Sequence, residues 1–287
     1  MKTFYPDSIS KKALHQIMLG TITPRPIAFV STVDNEGIRN LAPFSYFNAI
    51  SSNPPMLVLS VNRNTDGSKK DTLLNIEKTG ECVVNMVDSS IANQMVLAST
   101  AFSKSTDEFM KSGLTPISSS TTKAYGVKES PVRFECKLER IINFGDFAGA
   151  SSLIICNVSC VHIEEKAFDK NGKIDPVSLN IIGRLGRAFY VKTTKESVFS
   201  IPHLKTKTPL GFDNLPTSIT NSKVLSGNDI SKIAGLENLP TIGEVKHLKH
   251  LLDSFGPEVV HQIAGAELQT GDIHSAAKLL MTVEYFL

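Results

Sequence analysis

Tryptophan is absent from this 287-residue chain, and arginine is absent from its last hundred residues. All seven arginines (Arg25, Arg39, Arg63, Arg133, Arg140, Arg184 and Arg187) lie before Ala188. Arginine is the side chain suited to planar, two-pronged anion recognition, so any phosphate chemistry is expected in the first part. Charge of one sign is lacking too: 30 Lys+Arg against 28 Asp+Glu leave a net charge of +2. Such a chain has no long-range field to gather nucleic acid or an anionic membrane. No apolar run approaches the roughly 18 residues of a membrane span. No apolar stretch follows Met1–Asp7 that would serve as a signal peptide. These absences lead to the expectation of a cytoplasmic protein with no nucleic-acid and no membrane partner. At 41% hydrophobic and 20% charged residues, the composition argues against wholesale disorder.

Cysteine is sparse. The four residues Cys82, Cys136, Cys156 and Cys160 make no disulfide framework and suit a reducing compartment. Cys156 and Cys160 sit in an apolar, β-branched run, where a regular strand would point both to one face. No tight turn lies between them, so buried free thiols are expected there and no metal site. Asn157-Val158-Ser159 matches a glycosylation acceptor only by chance in such a run. Phosphate-loop, dinucleotide-fold, zinc-protease and hydrolase-elbow motifs are all missing. His247 and His250 share a helix face with Lys246 and Lys249 beside them, which reads as solvated surface. Gly183-Arg184-Leu185-Gly186 matches a four-residue RNA-binding loop, and the neutral chain argues against that use.

The first 190 or so residues read as β-rich. Strands are predicted at Pro26–Val33, Pro55–Val61, Glu81–Val87, Val132–Ile142 and Ser151–Ile163, with a turn at Asp34–Gly37. Helices are predicted at Asp71–Lys78, stopped by Gly80, at about Ser90–Ser99, and at about Thr106–Lys111, stopped by Gly113. Many short strands with few helices suggest a mainly β, barrel-like sheet. Residues 191–287 read as a mostly helical extension packed on the barrel. Its helices are expected near Asp229–Ala234, Thr241–Phe255, Pro257–Ala264 and Asp272–Phe286, with a Thr241/Glu244 capping box and a break at Gly256-Pro257.

Two stretches carry chemistry. Lys69 and Lys70 immediately precede a helix start that already bears partial positive charge, an unfavourable pairing that a bound anion would relieve. Asp71 or Ser68 is placed to cap that helix, the Thr72 hydroxyl to donate, and Arg63 to reach in from upstream. A solvated basic loop would show the same residues. Asn40 to Ala49 mixes small, aromatic and amide side chains, suited to a slot for a flat ring system. An ordinary strand with an aromatic face would also look like this.

In order, the blocks PRPIAFVSTVDNEG (24–37), NLAPFSYFNAISSNPPMLVLSV (40–61), KKDTLLNIEKTGECVVN (69–85), TDEFMKSGLT (106–115), ESPVRFEC (129–136) and GRLGRAFY (183–190) resemble the flavin reductase-like family of FMN-binding split β-barrels. That family includes flavoredoxin and the reductase components of two-component monooxygenases. The resemblance covers about residues 1–190; the tail resembles a long-tailed branch. It implies a six-stranded split barrel, a homodimer and FMN near the subunit interface. Carried over by position, the stretch Asn40 to Phe47, with Asn40, Leu41, Ala42, Pro43, Ser45 and Phe47 foremost, would wrap the isoalloxazine ring, with Ser45 and main-chain groups near its polar edge. Ser60, Asn62, Arg63, Lys70, Asp71 and Thr72 would surround the ribityl chain and phosphate. Arg184 and Tyr190 match an R-x-G-G-x-x-Y pattern near the flavin, with Arg187 replacing the second Gly.

The implied activity is NAD(P)H:flavin oxidoreduction, with FMN bound, NAD(P)H as reductant and no catalytic acid–base set, because the cofactor carries the reactivity. His162 could assist at the nicotinamide face; a strand-borne structural histidine is the plainer reading. The alternatives are a flavoredoxin-like carrier reduced by a protein partner and a non-catalytic flavin-holding module. The blocks specific to pyridoxamine-phosphate oxidases, which share the barrel, are missing.

Overall fold

A computed structural model describes residues 1–103, 105–204, 206 and 208–287. The chain divides into two compact units, Met1–Phe199 and Ser200–Leu287.

The first unit opens with helix α1 (Lys11–Thr21), where the Ser10 hydroxyl accepts from the Ala13 N–H. It continues through β1 (Ala28–Val33), β2 (Arg39–Phe44), β3 (Phe47–Ser52), β4 (Pro55–Asn62), α2 (Asp71–Thr79), β5 (Glu81–Met86), α3 (Ala92–Ala98) and α4 (Glu108–Ser112). The strand pair β6 (Pro116–Ile117) and β7 (Gly126–Val127) precedes the long β8 (Val132–Asn143) and β9 (Ser151–Ile163). The short α5 (Pro176–Leu179), β10 (Ile182–Arg184) and β11 (Tyr190–Lys192) follow. The predicted strands and the helix stops at Gly80 and Gly113 are present, both glycines in the left-handed conformation that ends a helix.

The main sheet is antiparallel in the order β2-β1-β5-β8-β9-β4-β3. Its two terminal strands are halves of one chain stretch, Arg39–Ser52, broken by a bend at Ser45-Tyr46. The chain itself therefore runs from one edge of the sheet to the other through this bend, which curls the sheet into a barrel. The resemblance implies six strands. Seven are counted because this bend interrupts one of them.

Side-chain alternation fills both sides of the wall. Ala28, Val30, Leu57, Leu59, Val61, Val84 and Ile154 pack inside with the Cys82, Cys136 and Cys156 thiols. Phe29, Leu41, Met95 and Phe109 form a second cluster where α3 and α4 cover β2. Burial on both faces explains why β1 reads as a continuous apolar run.

One expectation about β9 fails. Glu135 pairs with Cys160 while its neighbour Cys136 pairs with Val158, so Ser159 is an extra residue in a bulge. Directly paired residues share a face, and Cys160 therefore faces with Glu135, opposite to Cys156.

The second unit is helical. It contains α6 (Thr217–Thr220), α7 (Gly227–Ala234), α8 (Ile242–Val245), α9 (Lys249–Thr270) and α10 (Ile273–Phe286) around a core that includes Ile219, Ile233, Val260, Ala264 and Leu280. The Thr241/Glu244 capping box forms as expected. Helix α9 breaks at Gly256 (φ 76°, ψ 168°) before Pro257. His247 and His250 are exposed, as the sequence suggested.

Candidate functional site

The bend at Ser45-Tyr46 places both chemically suggestive stretches around one hollow. A cavity of about 220 Å³ is lined by Ala42, Pro43, Phe44, Ser45 and Tyr46 from the bend, Ser60 and Asn62 from β4, Lys70 before α2, and Ser99 after α3. A second cavity of about 210 Å³ shares Pro43, Phe44, Ser45 and Ser99 and adds Ile27, Met95, Val96, Arg184 and Tyr190. The bend is thus the common wall of two adjoining hollows. It is held to β4 by the Ser60 N–H donating to the Tyr46 carbonyl at 2.8 Å.

Helix α2 points its N-terminus at the first cavity. Its N-cap is Lys70, which makes no side-chain capping bond. The expected caps do not form: the Ser68 hydroxyl is committed to Asp66 at 2.6 Å, and Asp71 is the first helical residue. First-turn N–H groups therefore remain for an outside acceptor. The two lysines also part company. Lys69 is paired with Glu77 at 2.6 Å, whereas Lys70 has no carboxylate partner among the described residues. Arg63 donates from Nη1 to the Gly67 carbonyl at 2.9 Å, and its buried Nε has no partner. The Asn62 Oδ1 accepts from the Ser151 hydroxyl at 2.6 Å, leaving its amide N–H groups to donate.

A larger hollow of about 400 Å³, lined by Asp34, Asn35, Lys78, Thr79, Glu81 and Lys123 among others, lies at the opposite end of α2. The partial negative charge of a helix C-terminus disfavours an anion there.

Several predicted site residues have structural roles and line neither of the two adjoining cavities. Asn40 donates to the Thr32 and Thr72 hydroxyls at 3.1 and 3.0 Å, and Asn75 donates to Thr32 at 3.0 Å, bolting α2 to the barrel. Thr72 is buried in that network and does not reach the cavity. Leu41 is fully buried on the other side of β2, its N–H held by the Glu108 carboxylate at 3.0 Å. Burial pushes the Glu108 carboxyl above its usual range, and that N–H opposes the push. Phe47 packs against the barrel core. Asp71 and Arg63 lie beside the first cavity without lining it. His162 is remote: it lies nine positions along β9 from Leu153, the partner of Ser60, a span of about 30 Å.

Sequence reasoning missed Arg25, although it stands out between two prolines. Its side chain is buried and donates to the Leu19 carbonyl at 2.6 Å, the Ile22 carbonyl at 2.8 Å, the Leu185 carbonyl at 3.4 Å and the Ser45 hydroxyl at 3.5 Å. Backbone bonds couple Arg25 and Arg184 side by side. This close approach requires Gly183, where an added Cβ would stand 2.8 Å from Pro24 Cβ. Burial pushes the Arg25 guanidinium below its usual range; Tyr46 opposes the shift and Arg184 adds to it. Phe44 and Tyr46 lie within the stretch expected to hold the ring; Ser99, Met95, Val96 and Ile27 were missed, since only the closed barrel brings them to it.

Arg184 donates to the Tyr190 hydroxyl, stacks 4.5 Å from its ring centroid, and donates to the Arg187 carbonyl at 2.6 Å. Arg187 itself has φ 59°, a glycine-like conformation, and its guanidinium rests 5.4 Å over Phe189. Replacing it by Gly relieves about 1 kcal/mol of left-handed strain. It also adds unfolded-chain entropy and removes an exposed cation–π contact, each worth about 0.5 kcal/mol. Arg187→Gly is therefore expected to change stability by no more than about 0.5 kcal/mol. Arg187→Val, which cannot adopt this φ without clash, should cost about 1–2 kcal/mol, both variants being compared with the parent chain by denaturant titration.

A sheet whose two edges are halves of one bent strand, with ligand-sized hollows at the bend, is a split β-barrel. The chain belongs to the flavin reductase like domain family, whose model matches residues 19–178, within the first unit. The uncharacterized protein YwrF of Bacillus subtilis is 39% identical over 199 residues, covering 68% of this chain and 97% of that protein. Among solved structures, nitrilotriacetate monooxygenase component B from Bacillus cereus superposes with a TM-score of 0.66 at 35% identity, covering 70% of this chain and 98% of that one. The 2-nitrobenzoate 2-nitroreductase NbaA of Pseudomonas fluorescens gives 0.63 at 30% identity, covering 70% and 96%. Among the described residues, no helix is long and apolar enough to cross a membrane.

Proposed function

We propose that this chain is an FMN-dependent oxidoreductase of the flavin reductase type that uses NAD(P)H as reductant. The observation that carries the reading is that Lys70, the uncapped start of α2 and the Ala42–Tyr46 bend all border one cavity. The donor set fits a phosphorylated ring: an unpaired lysine, free first-turn N–H groups and an orphaned buried Arg63 Nε at one end, with an apolar and aromatic wall at the other. Bound FMN would supply the redox chemistry, accepting hydride from C4 of a reduced nicotinamide at its N5.

The chain's own residues bind and orient. Lys70 and the first turn of α2 offset the phosphate charge, and Ser60 and Asn62 offer a hydroxyl and an amide to a polyol chain. Ser45, whose oxygen faces the Arg25 guanidinium, keeps its own proton to donate toward negative charge on a ring lying against the bend. Arg184 and Tyr190 flank the second cavity, where a second flat group would meet the first. A nitroreductase and a monooxygenase component among the similar structures support redox work at this fold. The reading includes a homodimer. Ile50, Phe144 and Phe147, each more than half exposed, supply apolar surface for it.

The test is an absorption spectrum of the purified protein under anaerobic conditions. A yellow protein that bleaches on addition of NADH or NADPH is expected. A flavin-loaded sample bleached by neither removes the reductase reading and leaves a carrier that takes electrons from a protein partner.

A further inference from the structure

The bulge at Ser159 assembles a group that plays no part in the flavin reading. Glu135 and Cys160 are register partners, as are Arg133 and His162, so the Glu135, Cys160 and His162 side chains share one face of the β8–β9 ribbon. Their ligand atoms all lie within 4.8 Å of one another. The His162 Nε2 is 2.7 Å from Glu135 Oε1 and 3.6 Å from Cys160 Sγ.

Both neighbours approach the same ring nitrogen. A nucleophile–base–orienter relay needs them on opposite nitrogens, so the group is not built as a hydrolytic triad. One nitrogen carries at most one proton, and that proton cannot serve two acceptors well. A cation at the centre of the three would satisfy all of them.

The dimensions agree. Tetrahedral bonds of about 2.3 Å to sulfur and about 2.05 Å to nitrogen place those two atoms about 3.6 Å apart, the separation found. The carboxylate needs to withdraw by roughly 0.7 Å, exchanging its bond to His162 for a metal bond. Glu135 is otherwise anchored: its buried carboxylate accepts from the Ser120 N–H at 2.7 Å and from the Thr121 N–H and hydroxyl at 2.5 and 2.6 Å. Those bonds orient it as outer-shell partners orient a metal ligand. His162 is 31% exposed and Cys160 half-buried, which leaves an entry path and a fourth position for water.

We propose that Glu135, Cys160 and His162 form a binding site for one divalent transition-metal ion of the zinc class, with a solvent-accessible fourth position. The sulfur and nitrogen donors select against magnesium and calcium. Ligation converts the Cys160 thiol to thiolate and releases its proton, so affinity rises with pH.

The test is calorimetric titration of the reduced, full-length, flavin-loaded chain with Zn²⁺, alongside Co²⁺ absorption in the red, beyond the flavin bands. One ion per chain and tetrahedral cobalt bands are expected. Cys160→Ser and His162→Ala should each weaken binding at least tenfold, and the double variant should abolish it. His247→Ala/His250→Ala should change nothing. Glu135 is buried and anchors the Ser120–Thr121 loop, so Glu135→Gln also perturbs folding; the two more exposed ligands keep the test decisive, with circular dichroism checking their fold. No saturable uptake, or uptake that survives in the double variant, overturns the proposal. Flavin content is read separately, so the oxidoreductase reading stands or falls on its own.

Discussion

Lys70→Glu is expected to weaken FMN binding about a hundredfold and to leave riboflavin binding within about twofold. Lys70, which has no carboxylate partner among the described residues, stands at the uncapped start of α2, on the rim of the bend cavity. A charge-assisted contact to a phosphate is worth about 1.5 kcal/mol or more, roughly tenfold in affinity. Reversing the charge adds repulsion of similar size at a helix terminus that otherwise favours anions. Riboflavin carries the same ring and polyol without phosphate, so the difference isolates this end of the site. Fluorescence-quenching titrations with both ligands give the comparison. If FMN and riboflavin weaken equally, the phosphate does not sit at this helix start. Lys69→Glu should have a smaller effect on FMN affinity, because Lys69 is already neutralised by Glu77.

Arg25→Met should destabilise the first unit by about 3 kcal/mol. The substitution keeps an apolar stem of similar length but strands the Leu19, Ile22 and Leu185 carbonyls, each losing a net bond worth about 1 kcal/mol. For a unit of this size that is a fall in Tm of roughly 6–12 °C, read by scanning calorimetry of the full chain. Arg25→Lys should rescue little, because an ammonium cannot fork to carbonyls on both the α1 end and the Leu185 loop. A shift below about 2 °C for the methionine variant would show that those carbonyls find other partners and that Arg25 does not hold the α1 end and this loop around Ser45.

Much of the secondary structure was legible because its signals are local. The strand at Ser151–Ile163 shows as a β-branched run, and helix α2 shows through its stop at Gly80. The Thr241/Glu244 box and the Gly256-Pro257 break are spelled out within a few residues of where they act. Helix α1 was not read at all. It buries no residue, and its Ser10 cap alone is a weak start signal. The anion half of the site could be inferred from two lysines at a helix start, but not which lysine stays free. That depends on Glu77 lying two turns along α2. Asn40 and Thr72 carried the right chemistry and turned out to be spent on each other and on Thr32.

The sequence by itself determined a mainly β first part followed by helices, the helix start with its lysines, the polar and aromatic bend segment, and through its ordered blocks the family. Periodicity, caps and stops act over a few residues, and so can be read without the fold. Only the tertiary structure decided that Arg39–Ser52 bends to join both edges of the sheet, that Arg25 supports the site from behind, and that a single extra residue at Ser159 turns Cys160 away from Cys156 and toward Glu135 and His162. Each of these depends on strand register, and register is set by pairing between segments far apart in the chain.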